Sequence, residues 1–63
     1  MRYIRRHYGV PARRGGRVRY TGGPDGVARL GTIQCSKGQY LSILLDGDKI
    51  PGKYHPTWKL EYL

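Results

Sequence analysis

Gln39-Tyr40-Leu41-Ser42-Ile43-Leu44-Leu45-Asp46-Gly47 decides the fold class of this chain. Leu41, Ile43 and Leu45 recur at period two, with Tyr40, Ser42 and Leu44 on the opposite face, which is the signature of a β-strand. Asp46-Gly47 then signals a hairpin, because both central residues of a type I′ turn need positive φ. Working upstream, Ser36-Lys37-Gly38 reads as a tight turn, preceded by a second strand from Ala28 to Cys35 with Ile33 and Cys35 inward and Thr32 and Gln34 outward. Arg17-Val18-Arg19-Tyr20 alternates charged and apolar residues, so both arginines point outward from a first strand. Between them, Gly22, Gly23, Pro24, Asp25 and Gly26 form a loop of residues suited to turn dihedrals. Downstream, Lys49 to Tyr54 reads as a fourth strand at an edge or bulge, since Pro51 lacks a donor and Gly52 weakens a ladder. His55-Pro56-Thr57-Trp58 reads as a single 3₁₀ turn, and Lys59 to Leu63 as a fifth strand with Leu60 and Tyr62 inward.

A chain of 63 residues holds one domain that buries only about 60% of the surface its unfolded form exposes, so nearly every large apolar side chain must enter one core. The expected core is Val18, Tyr20, Leu30, Ile33, Cys35, Leu41, Ile43, Leu45, Trp58, Leu60 and Tyr62. Five short strands with tight turns, and one helical turn before the last, are the layout of an all-β, SH3-like barrel over residues 17–63. An OB-like barrel normally needs more residues. Residues 1–16 read as a basic N-terminal arm. Within it, Met1 to Tyr8 can form a short helix, placing Ile4 with Tyr8, or Tyr3 with His7, on one face before Gly9 and Pro11 end it. Such a helix is marginal unless it packs on something.

The net charge of +8 is distributed unevenly. Residues 1–24 carry seven arginines (Arg2, Arg5, Arg6, Arg13, Arg14, Arg17, Arg19) and no acid, whereas residues 25–63 set five basic groups against Asp25, Asp46, Asp48 and Glu61. A local excess made of arginine, whose planar fork pairs with phosphate and stacks on bases, points to a nucleic-acid partner. Arg5, Arg6, Arg13, Arg14, Arg17, Arg19 and Arg29 are the expected contacts. Tyr40 on the outward face, with Tyr54 and His55 near the end of the fourth strand, offers rings for unpaired bases. The alternative is a protein module docking on an acidic partner surface, with the arginines serving as a solvated face.

Catalysis is not expected. His7, His55 and Cys35 have no standard metal spacing, and no nucleophile has a recognisable activating partner. Asp46 and Asp48 flank a turn glycine, and Ca²⁺ would require more ligands. No cofactor is implied. Cys35 follows the inward phase of Ile33 and reads as an inert thiol, and His55 as a brace for the turn before Trp58. Recognition of proline-rich peptides needs acidic residues beside the aromatic groove, and the glycine-rich loop carries only Asp25. The lone cysteine, the lack of an apolar run for a membrane or signal peptide, and the start at Met1 lead to the expectation of a complete cytoplasmic protein, monomeric or weakly dimeric through its fourth strand.

Val18, Tyr20, Gly23, Gly31 and Ile33 resemble the KOW pattern of the KOW and Tudor-like small barrels: two apolar residues two apart, a glycine-rich loop, then a glycine and an aliphatic residue. The loop is about one residue longer than usual in that pattern. The resemblance covers about 17 residues and implies binding to RNA, ribosome or transcription machinery, with no reaction. Tyr54-His55-Pro56-Thr57-Trp58 is similar to small uncharacterised proteins of phage or prophage origin. Arg17-Val18-Arg19-Tyr20-Thr21-Gly22 resembles the opening of CAP-Gly domains, whose groove motif is absent. The sequence therefore leads to the expectation of a non-catalytic nucleic-acid-binding module, for RNA ahead of duplex DNA.

Overall fold

In the computed structural model, which describes residues 1–63, the alternating segments become five antiparallel strands of one sheet, preceded by one short helix. The elements are α1 (Arg2–Tyr8), β1 (Arg17–Tyr20), β2 (Arg29–Lys37), β3 (Tyr40–Leu45), β4 (Gly52–Tyr54) and β5 (Leu60–Tyr62). The strands lie in the order β4-β3-β2-β1-β5. The ladder ends at β4 on one side and β5 on the other, so the hydrogen-bonded sheet is not closed. Even so, the Tyr20 ring of β1 meets the Tyr54 ring of β4 with centroids 4.7 Å apart. Two intervening strands separate β1 from β4, and the ring contact passes over their inner face.

Register explains which side chains are inside. Val18 stands opposite Gly31 on β2 and Tyr62 on β5, and Gly31 and Ile33 stand opposite Leu45 and Ile43 on β3. Directly opposed residues share a face, so Val18, Ile33, Leu41, Ile43 and Leu45 form the buried layer, joined by Ile4 and Ala12 from the N-terminal segment. The first sixteen residues thus contribute to the core as well as to the charge. Ile4, on α1, is fully buried. Gly15 donates to the Ile33 carbonyl at 2.7 Å and Ile33 donates to the Gly16 carbonyl at 2.9 Å, extending the β1–β2 ladder towards the helix.

Several expectations are corrected. Cys35 does not continue the inward phase of Ile33, because the pairing slips between them and Cys35 opposes Ser42. Gln34 is the extra residue of this bulge, and one added residue moves everything beyond it to the other face. Leu30 is 41% exposed, since it opposes Arg19 on the outer face. Trp58 is 53% exposed. Its ring lies over the backbone of Gly22, where an added Cβ would come 2.3 Å from Cζ3, while Pro56 of the same turn takes the buried position.

The turns also shift. Gly38 and Gln39 make the β2–β3 connection, with Gly38 at φ +61°, one residue later than the composition suggests. The β3–β4 pairing stops at Ile43 and Gly52, because Pro51 has no N–H to continue it; residues 46–51 therefore form a wider loop. β4 is an edge strand as expected. His55 to Trp58 is a turn closed by the Trp58 amide on the His55 carbonyl at 3.3 Å, without becoming a regular 3₁₀ helix.

Candidate nucleic-acid interface

Alternation along β1 sends Arg17 and Arg19 to one face, as the sequence requires, and register decides what they meet there. Arg17 opposes Thr32 and donates to its Oγ1 at 2.7 Å. Its fork also closes on Asp46, Nη1 to Oδ1 at 3.0 Å and Nη2 to Oδ2 at 2.6 Å. This bidentate bond is the main reason the Arg17 guanidinium is held above its ordinary pKa and the Asp46 carboxyl below its own. Arg19 opposes Glu61 across β1 and β5 and donates to both its carboxylate oxygens at 3.0 and 2.9 Å. Arg29 reaches Asp48 at 3.4 Å.

These three pairs take up three of the four side-chain carboxylates. All six side chains are between 40% and 59% exposed, so each pair is a surface pair, of a kind that contributes about 0 to 1 kcal/mol. The fourth carboxylate, Asp25, accepts from the Val27 amide at 3.1 Å and stays within its own loop. Arg17 and Arg19 therefore share the outer sheet face with neutralising partners, whereas Arg29, opposite Tyr20, lies towards the inner side and pairs there with Asp48. The sequence shows the arginines but not this pairing, because the acids lie 19 to 42 residues away along the chain.

The remaining arginines of the expected set, Arg5, Arg6, Arg13 and Arg14, together with Arg2, have no carboxylate partner. Arg5 donates to the Ala12 carbonyl at 2.8 Å, which ties α1 to the segment carrying Arg13 and Arg14. Arg2 and Arg6 form one row along the helix and Tyr3 and His7 the next, both at i,i+4 spacing. Together they line a shallow open groove. The Tyr3 and His7 rings are stacked, with centroids 5.2 Å apart and planes 12° from parallel.

From His7 the aromatic contacts continue onto the sheet. His7 meets Tyr8 edge-on at 4.7 Å, Tyr8 meets His55 at 5.1 Å, and His55 meets Tyr40 at 6.1 Å. The Lys53 ammonium stands 5.8 Å from the Tyr40 ring centroid. His55 is fixed by the turn it begins: its Nδ1 accepts from the Thr57 amide at 3.2 Å, which is the bracing role read from the sequence.

Of the rings expected near the interface, Tyr40 is 37% exposed and His55 lies beside it, but Tyr54 turns inward against Tyr20. Burial is the main cause that pushes the Tyr54 phenol up. Tyr3 and His7 were not among the expected contacts, although their i,i+4 spacing on a short helix was the signal that joins them. No cluster of three His, Cys, Asp or Glu side chains is placed to hold a metal ion, and no helix is long and apolar enough to cross a membrane. Comparison with known proteins finds no matching family model, no matching curated relative and no matching solved structure.

Proposed function

We propose that this domain binds nucleic acid without catalysing a reaction, RNA ahead of duplex DNA, and that its N-terminal arginines supply the phosphate contacts. One observation carries the reading: five arginines within the first fourteen residues have no carboxylate partner, while Arg17, Arg19 and Arg29 are each matched to one. Unmatched guanidinium groups on the surface of a small domain repel one another and attract a polyanion. Arg2, Arg5, Arg6, Arg13 and Arg14 are the primary contacts. Arg17, Arg19 and Arg29 contribute only where a phosphate displaces a carboxylate.

Two features support the finer reading of the fold as an SH3-like barrel of the KOW or Tudor-like kind. The four-strand run β1 to β4 is followed by the return of β5 to pair with β1, which is compatible with a curled sheet. Val18 and Gly31 stand opposite each other across the glycine-rich loop, with Ile33 on the same inner face, so three of the five residues of the resemblance sit together.

The test is a fluorescence-anisotropy titration with single-stranded RNA, single-stranded DNA and duplex DNA over a range of salt. With five phosphates neutralised on a single strand, the log-log slope is about −3.5. Replacing Arg13 and Arg14 with alanine is expected to make it shallower by about 1.4, for two lost phosphate contacts. Replacing Arg17 and Arg19 changes it much less, because those charges are already compensated. Absence of binding to all three polymers at low salt would remove the proposal and leave an acidic protein surface as the partner to seek.

A further inference from the structure

Two of the three aromatic residues of α1, Tyr3 and His7, lie outside the hydrophobic core. The helix buries Ile4 and packs Tyr8 against the sheet, yet Tyr3 is 56% exposed and His7 is exposed as well. Two stacked rings on an otherwise charged, solvent-facing helix surface gain little from the core. They do present flat π-faces beside Arg2 and Arg6. At the far end of the ring series, Tyr40 presents a second exposed ring beside Lys53. Between the two ends, Tyr8 and His55 are half-buried and make edge-to-face contacts, a geometry that fixes ring positions.

We infer that this ledge is a stacking site for two unpaired nucleobases of a single-stranded nucleic acid, one on the Tyr3–His7 pair and one on Tyr40, with Arg2, Arg6 and Lys53 meeting the flanking phosphates. The inference rests on the arginine cluster being a phosphate contact and adds the class of strand it holds. Charge complementarity identifies the occupant, since every cation beside the rings lacks a carboxylate partner. A duplex keeps its bases stacked on one another and cannot offer their faces. A single strand can, and base–aromatic stacking is tolerant of sequence because every base has a π-face.

The experiment compares an intact single strand, an abasic strand of the same length and a duplex, each in RNA and DNA form where it can be made. Intact and abasic strands carry the same phosphates, so their affinity ratio reports the bases alone. Stacking supplies at least about fivefold per base, so the intact strand should bind about 25-fold tighter or more. The sugar that gives the larger ratio identifies the ligand. Tyr3→Ala with His7→Ala should remove about fivefold from the ratio and leave the salt slope in place, as should Tyr40→Ala alone. Tyr3→Phe, which keeps the ring, should preserve the ratio and control for folding. Arg2→Ala with Arg6→Ala should do the reverse, flattening the slope while the ratio persists.

Equal affinity for intact and abasic strands would overturn the stacking site and leave phosphate binding standing. A ratio that survives loss of Tyr3, His7 and Tyr40 together would overturn the assignment to these rings. Failure to bind any strand would overturn both readings.

Discussion

Ile4→Ala tests whether the N-terminal segment belongs to the folded domain, on which both the ledge and the arginine cluster depend. Ile4 is fully buried and belongs to the same core cluster as Val18, Ile33 and Ile43. Truncating a buried isoleucine to alanine costs about 2 to 5 kcal/mol. At about 0.05 to 0.15 kcal/mol per residue, a domain of 63 residues has only roughly 3 to 9 kcal/mol in total. A loss of about 3 kcal/mol would lower Tm by about 12 to 24 °C. Urea unfolding followed by the fluorescence of Trp58 is the suitable assay, because Trp58 rests on Gly22 and Tyr20 and reports on the sheet end rather than on α1. Ile4→Val supplies a graded companion, with an expected cost of about 0.5 to 1.5 kcal/mol. If Ile4→Ala leaves the urea midpoint where it was, the segment is a mobile arm. Tyr3, His7, Arg2 and Arg6 are then not mounted on a fixed helix.

Two further outcomes follow from the packing. At Gly31, an added Cβ would lie 2.9 Å from Leu45 Cδ2 and 3.0 Å from the Leu44 backbone oxygen; because that oxygen belongs to the β3 backbone, Gly31→Ala is expected to cost about 1 to 3 kcal/mol. An unchanged melting temperature would show that the two strands approach less closely than described. At alkaline pH, the Tyr62 phenol is pushed up to about 12 by burial, so between pH 10 and 12 the folded state holds a proton that the unfolded state has lost. Stability should be flat below about pH 10 and fall above it, by on the order of 1 kcal/mol after allowing for partial solvent exposure. Tyr54, shifted in the same direction, adds to the slope. Tyr62→Phe should flatten the alkaline limb of a pH series of urea midpoints, although loss of the bond to the Pro56 carbonyl lowers stability at every pH. An alkaline limb identical to the parent's would refute the shift.

Period-two alternation placed β1 and the inner face of β3, and Pro51 with Gly52 marked β4 as an edge, because these signals are local. Leu30 was also legible in principle: it lies three residues before Ile33, so the same alternation puts it outside, and only its apolarity suggested otherwise. Cys35 was not, since the Gln34 bulge is a property of the paired strands and leaves no mark on one of them. Trp58 misled for a related reason. Size and apolarity argue for burial, but Lys59 adopts φ +53°, and the chain turns so that Pro56 rather than Trp58 points in. The Ile4–Tyr8 spacing marks one face of the helix, but the burial of that face against the core depends on the tertiary fold. At the site, the i,i+4 pairs were readable, whereas the ion pairs and the meeting of His55 with Tyr8 arise only from the tertiary fold.

The helix itself argues that its charge is not there for stability. Cations near a helix C-terminus are favourable, so Arg5 and Arg6 in the last turn of α1 are consistent with the macrodipole. Arg2 is not. It stands in the first turn, which carries no acid, behind Met1, whose side chain makes no capping bond. There a positive charge opposes the dipole, and Arg2 and Arg6 at i,i+4 also repel each other by a few tenths of a kcal/mol. Substituting an acid at position 2 would help the isolated helix on both counts. A seven-residue helix that carries such a liability beside two exposed stacked rings has a composition that its own folding does not explain. Under the proposed function, a single-stranded nucleic acid lying along that face would remove the repulsion and set its bases against the rings.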